Sequence, residues 1–124
     1  MLKVNQTITP VTPLTLKDDG KYYLSSDFNE TVSKEVVTWI LESNLQINKP
    51  KELTLIITSY GGLVTSAFSI IDVMRSSKIP VHTVGLGIVS SCGLLTFMAG
   101  QKGKRILTEN TSILSHQYSW ARNS

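Results

Sequence analysis

From Tyr22 onward, short runs of β-branched and aliphatic residues alternate with longer stretches whose apolar positions recur every three or four residues. The first such run is Tyr22 to Leu24, a short strand. Asn29 followed by Glu30 then forms a helix start, an N-cap oxygen with an acid near the positive helix end. Val32, Val36, Trp39 and Ile40 follow at helical spacing, and the helix fades near Asn44. Asn48-Lys49-Pro50 is a loop before Leu53 to Thr58, a run rich in β-branched residues that predicts a buried strand. After Ser59-Tyr60-Gly61-Gly62, the positions Val64, Ala67, Phe68, Ile71 and Met74 mark an amphipathic helix. The order then repeats: Lys78-Ile79-Pro80 connects, Val81 to Gly87 is a strand, and Ser91 to Ala99 is a helix ended by Gly100. Short strands at Arg105 to Leu107 and Ser112 to Ser115 complete the pattern. Alternation of this kind predicts an α/β fold with βαβ crossovers and a mostly parallel sheet.

Residues 1–20 read differently. Pro10 and Pro13 lie among threonines, and Lys17-Asp18-Asp19-Gly20 closes an extended arm with a turn. At 124 residues the chain is expected to be one domain, with 1–20 as its arm and 21–124 as its folded body. A composition that is 41% hydrophobic and 17% charged predicts a packed core. The net charge of +3 is scattered except at Lys102, Lys104 and Arg105 around Gly103, which read as a solvated loop, so no nucleic-acid role is expected. A single cysteine, Cys92, and no secretory signal pattern point to a reducing compartment, the cytoplasm. The apolar stretch from Val81 to Gly100 is interrupted by His82, glycines and serines. It suits a strand and a helix better than a membrane span.

In a parallel sheet, ligands gather at the carboxyl ends of the strands. Three features fall there together: Gly61-Gly62, Ser90-Ser91-Cys92-Gly93, and His116. A serine hydroxyl needs a base within reach to act as a nucleophile, and an imidazole is the usual one. A serine at a helix start also lies near unpaired backbone N–H groups able to stabilise an oxyanion, here those of Gly62 and Cys92. Taken singly, each feature has a plainer reading: an N-cap serine, a tight glycine turn, a structural histidine. His82, within a strand beside Pro80, keeps that plainer reading. The run Gly85-Leu86-Gly87-Ile88-Val89-Ser90 begins like a dinucleotide fingerprint but lacks its third glycine, and Val89 breaks the Gly-x-Ser-x-Gly elbow of α/β-hydrolases. No Walker loop, His-Glu-x-x-His or paired-cysteine metal site occurs, so neither metal nor cofactor is expected.

Four separated segments carry a family resemblance. They are Ile57-Thr58-Ser59-Tyr60-Gly61-Gly62-Leu63-Val64, Gly87-Ile88-Val89-Ser90-Ser91-Cys92-Gly93, Ala99-Gly100-Gln101-Lys102-Gly103-Lys104-Arg105, and Ser115-His116-Gln117. In this order and spacing the chain resembles the proteolytic subunit of the ATP-dependent Clp protease over about residues 20–118. The resemblance implies a Clp/crotonase-like fold of repeated ββα and βαβ units. It implies Ser91 rather than Ser90 as nucleophile, His116 as general base, and Gly62 and Cys92 as oxyanion donors. The implied reaction is endopeptidase hydrolysis of unfolded polypeptides through an acyl-enzyme. The implied partners are copies of the same chain in stacked heptameric rings and a Clp AAA+ unfoldase, which consumes the ATP.

Tyr60 stands where the family turn has proline, Val89 and Cys92 line the serine, and Tyr118 replaces the proline after His-Gln. These departures suggest a divergent branch of viral type. No acid follows His116 in the sequence, whereas the family aspartate lies several dozen residues beyond its histidine. The resemblance therefore implies an incomplete triad and a missing C-terminal portion. Two other functions stay open: a catalytically inactive ring subunit that modulates an active peptidase, and a crotonase-like acyl-CoA enzyme.

Overall fold

The computed structural model describes residues 15–114. A 3-10 turn at Lys17–Asp19 ends at Gly20 and leads into β1 (Lys21–Leu24). There follow α1 (Glu30–Leu45), β2 (Leu53–Ser59), α2 (Val64–Ser76), β3 (Val81–Ser90), α3 (Cys92–Met98), β4 (Arg105–Leu107) and β5 (Ser112–Leu114). The expected helix start is present: the Asn29 side chain accepts from Val32 N–H at 2.8 Å and satisfies one donor of the first turn.

The five strands form one sheet in the order β1-β2-β3-β4, with β5 also on β3, and every pairing is parallel. This is the mostly parallel α/β architecture expected from the alternation. Burial along β2 alternates strictly. Leu53, Leu55 and Ile57 are sealed in the core with Val36, Trp39 and Ile40 of α1, Ala67, Ile70 and Met74 of α2, and Phe97 of α3. Thr54, Ile56 and Thr58 on the other face are only half-buried. The expected buried strand is present and is buried on one face, because among the described residues the core lies on that face.

Two further expectations change. In α2 the buried stripe runs through Ser66, Ala67, Ile70, Ile71, Val73 and Met74, while Val64 and Phe68 are exposed. Val64 opens the helix at the sheet's carboxyl edge, beyond the cover of the core, and Phe68 lies on the outward side. The strand expected to stop at Gly87 continues to Ser90. Its pairing with β2 slips between Ile57↔Gly85 and Ser59↔Val89, so Thr58 alone faces Leu86, Gly87 and Ile88. The Thr58 hydroxyl donates to the Leu86 carbonyl at 2.5 Å, and Gly87 takes the bend with φ 82°. Beyond the bulge β3 changes neighbour: Thr83 to Gly85 pair with β4, and Ile88 to Ser90 pair with β5. The Gly85 and Gly87 of the apparent fingerprint are thus interior to a strand, which no phosphate-binding turn would be.

Candidate active site

Ser91 follows β3 and leads into α3, and it is the single non-glycine residue with positive φ among those described (φ 56°, ψ −125°). A side chain rarely adopts that backbone conformation. The capping position does not explain it, since the Ser91 hydroxyl makes no cap hydrogen bond to α3. Ser90, by contrast, is wholly buried within β3, while Ser91 is half-buried. Of the two serines, Ser91 is the one a substrate could reach. Its amide donates to the Leu114 carbonyl at 3.0 Å, which ties the start of α3 to β5.

The glycine turn lies directly against this serine. A Cβ placed on Gly61 would stand 2.8 Å from Ser91 Cβ and 3.2 Å from Ser91 Oγ, and Gly61 has φ 118°. A Cβ on Gly62 would stand 2.5 Å from the Phe28 carbonyl oxygen, with φ 135°. The two glycines therefore serve separate approaches, one toward Ser91 and one toward Phe28.

Phe28 grips the turn from the β1 side. Its N–H donates to the Gly61 carbonyl at 2.7 Å, and its own carbonyl accepts from Leu63 N–H at 2.8 Å. In a planar trans peptide the C=O and the following N–H point in opposite directions. With the Gly61 carbonyl turned toward Phe28, the Gly62 N–H is turned away from β1 and toward the side on which β3 and Ser91 lie. Among the described residues neither Gly62 N–H nor Cys92 N–H donates to a backbone carbonyl. Gly62 is exposed, and Cys92 N–H belongs to the first turn of α3, where donors have no helical partner.

Cys92 itself is buried, and burial pushes its thiol above the ordinary 9.0, outweighing a lowering hydrogen bond with its own backbone, while the charge of Asp27 adds a smaller rise. It is a poor nucleophile beside a better-exposed hydroxyl. His116 lies outside the described residues, as does the stretch beyond it. His82 sits in β3, mostly buried, with Nδ1 3.3 Å from a Glu52 carboxylate oxygen, far along the strand from Ser91. Among the described residues no group of histidine, cysteine, aspartate and glutamate is placed to hold a metal, and no helix is long and apolar enough to cross a membrane.

A cleft of about 240 Å³, lined by Ser25, Ser26, Asp27, Thr58, Ser59, Tyr60 and Ile88, adjoins the glycine turn. Larger clefts of about 500 and 540 Å³ border Lys17 and α1, away from Ser91, so size does not single out the cleft beside the glycine turn. Two participants escaped sequence reasoning. Ser59 carried a faint signal as the first residue of a Ser-x-Gly turn, and Phe28 carried none, because its part is played by backbone atoms.

A family model described as Clp protease matches residues 9–122, and the chain belongs to the Clp protease family. The parallel sheet with interleaved helices is consistent with that fold.

Proposed function

We propose that this Clp-family chain is a serine endopeptidase subunit in which Ser91 is the nucleophile and His116 the general base. Ser91 Oγ attacks the peptide carbonyl while His116 takes its proton. The oxyanion is held by the N–H groups of Gly62 and Cys92. Collapse of the tetrahedral intermediate releases the amine, protonated by His116, and leaves an acyl-enzyme that water then hydrolyses. The observation that carries this reading is the serine's backbone. Its backbone turns β3 into α3 at φ 56°, and its half-buried hydroxyl, which makes no capping bond and lies against Gly61, is left available for chemistry.

In this reading the substrate is unfolded polypeptide delivered by a Clp AAA+ unfoldase, the chain needs no cofactor of its own, and it works in homo-oligomeric, heptameric rings. An apolar row across the sheet face away from the helices supports a role for partner chains. Tyr23, Ile56, Val84 and Ile106 stand side by side in register, and the outer two are 42% and 59% exposed.

A fluorophosphonate probe tests the assignment. The folded protein is expected to be modified at Ser91, with modification abolished by Ser91→Ala and retained in Ser90→Ala if that variant folds. Absence of labelling at Ser91 in the folded chain would overturn it in favour of a non-catalytic ring subunit.

A further inference from the structure

Resting on that reading of Ser91 and Gly62, we infer that Ser59 is a positioning residue that sets the direction of the oxyanion-binding N–H of Gly62. Ser59 ends β2, is 2% exposed, and faces the glycine turn two residues ahead. Its hydroxyl engages both sides of Gly61: Oγ accepts from Gly61 N–H at 3.0 Å and donates to the Gly61 carbonyl at 3.3 Å. The same carbonyl receives Phe28 N–H at 2.7 Å.

The Gly61 carbonyl and the Gly62 N–H belong to one rigid peptide, so whatever fixes the first aims the second. Glycine supplies no side-chain restraint, and both glycines sit at positive φ, so no side chain of their own holds the intervening peptide. The two donors on the Gly61 carbonyl provide the missing restraint. One is main chain and invariant to substitution, and the other is the Ser59 hydroxyl. Ser59 also holds the preceding peptide through Gly61 N–H, so a single hydroxyl fixes two consecutive peptide planes. Gly61 in turn abuts Ser91, which brings the aimed N–H and the nucleophile into one rigid unit. Ser59 touches neither the reacting carbonyl nor the oxyanion. It acts through Gly61.

The test uses the 124-residue chain with a fluorophosphonate and compares wild type, Ser59→Ala and Ser59→Thr. Ser59→Ala is expected to lower the rate of Ser91 modification at saturating probe roughly tenfold, about the effect of two neutral hydrogen bonds. The half-saturating probe concentration should stay unchanged, and Ser59→Thr, which keeps the hydroxyl, should recover most of the rate. A purely structural role would instead reduce the fraction of protein that labels and leave the rate of that fraction alone. That result, or a wild-type rate in Ser59→Ala, overturns the inference.

Amide hydrogen exchange on wild type gives an arm independent of labelling and of how the variants fold. Gly61 N–H should exchange at least about tenfold more slowly than in an unstructured peptide, and exchange at the unstructured rate also overturns the inference. Failure of wild type to label would count against Ser91 as nucleophile, and the exchange arm then decides the restraint by Ser59 alone.

Discussion

Gly61 shows how little room surrounds the serine. An alanine there would add a methyl 2.8 Å from Ser91 Cβ and force a side chain into φ 118°, so both strain and overlap act at one residue. We expect Gly61→Ala to destabilise the fold by about 3 kcal/mol and to abolish modification of Ser91, measured by urea unfolding and by probe labelling. Wild-type stability in that variant would mean that the turn has a second arrangement available. At this scale the sequence was generous with residue types and reticent about contacts. That Gly-Gly and the later serine pair would fall at neighbouring strand ends was readable, whereas the residues alone left Ser90 and Ser91 open and only the family resemblance preferred Ser91. That Gly61, rather than Gly62, touches the serine was not readable, because it depends on the register slip between β2 and β3 that brings Ser59 opposite Val89.

Elements were legible where local chemistry ends them. Asn29 capped α1 as its side chain implied, and the β-branched run from Leu53 gave β2. The missed boundary, the carboxyl end of β3, fell at glycines that ordinarily stop a strand. Here they sit in a bulge closed by the Thr58 hydroxyl, a partner 28 residues away that no local pattern reveals. The short helix α3 depends on a similar distant fit. Its last turn packs on β3 so closely that a Cβ on Gly100 would collide with the Thr83 side chain, whose hydroxyl donates to the Phe97 carbonyl at 2.8 Å. Gly100→Ala should therefore cost about 2 kcal/mol in a thermal or urea unfolding experiment. A neutral or stabilising result would show that α3 shifts freely along the sheet.

For the molecule as a whole, the sequence conveyed the parallel sheet but not its one-sided cover, since β-branched runs look alike whether one face or both are sealed. The titrating groups give the whole fold a direction in pH. Burial and then the hydrogen bond from its hydroxyl to Glu35, at 2.8 Å, together with that carboxylate's charge, raise Tyr22 from 10.0 to about 12. Cys92 is also raised. Both groups are neutral in the folded state at a pH where the unfolded chain has begun to lose their protons. The stability they contribute is complete below about pH 9 and is lost as pH climbs from there toward about 12. Urea midpoints should be insensitive to these groups near neutrality and fall across that alkaline interval, with a smaller fall in Tyr22→Phe. A flat profile in wild type would contradict the raised values.

The change of neighbours along β3 has a mechanical side. The strand's first half is clamped between β2 and β4, and its second half, which leads into Ser91, lies between the end of β2 and β5. Where the two halves meet, the Gly85 carbonyl gathers Thr108 N–H at 3.1 Å and the Thr111 hydroxyl at 2.9 Å, while the Thr58 hydroxyl holds Leu86. A pull transmitted along β5 reaches Leu114, and through it the amide of Ser91, before it meets this knot of hydroxyls. The serine's end of the strand is therefore held separately from the first half, by β5 on one edge and, on the other, by the wholly buried Val89 opposite Ser59. A displacement of Leu114 would therefore bear first on the Ser91 amide and next on the core, through Val89.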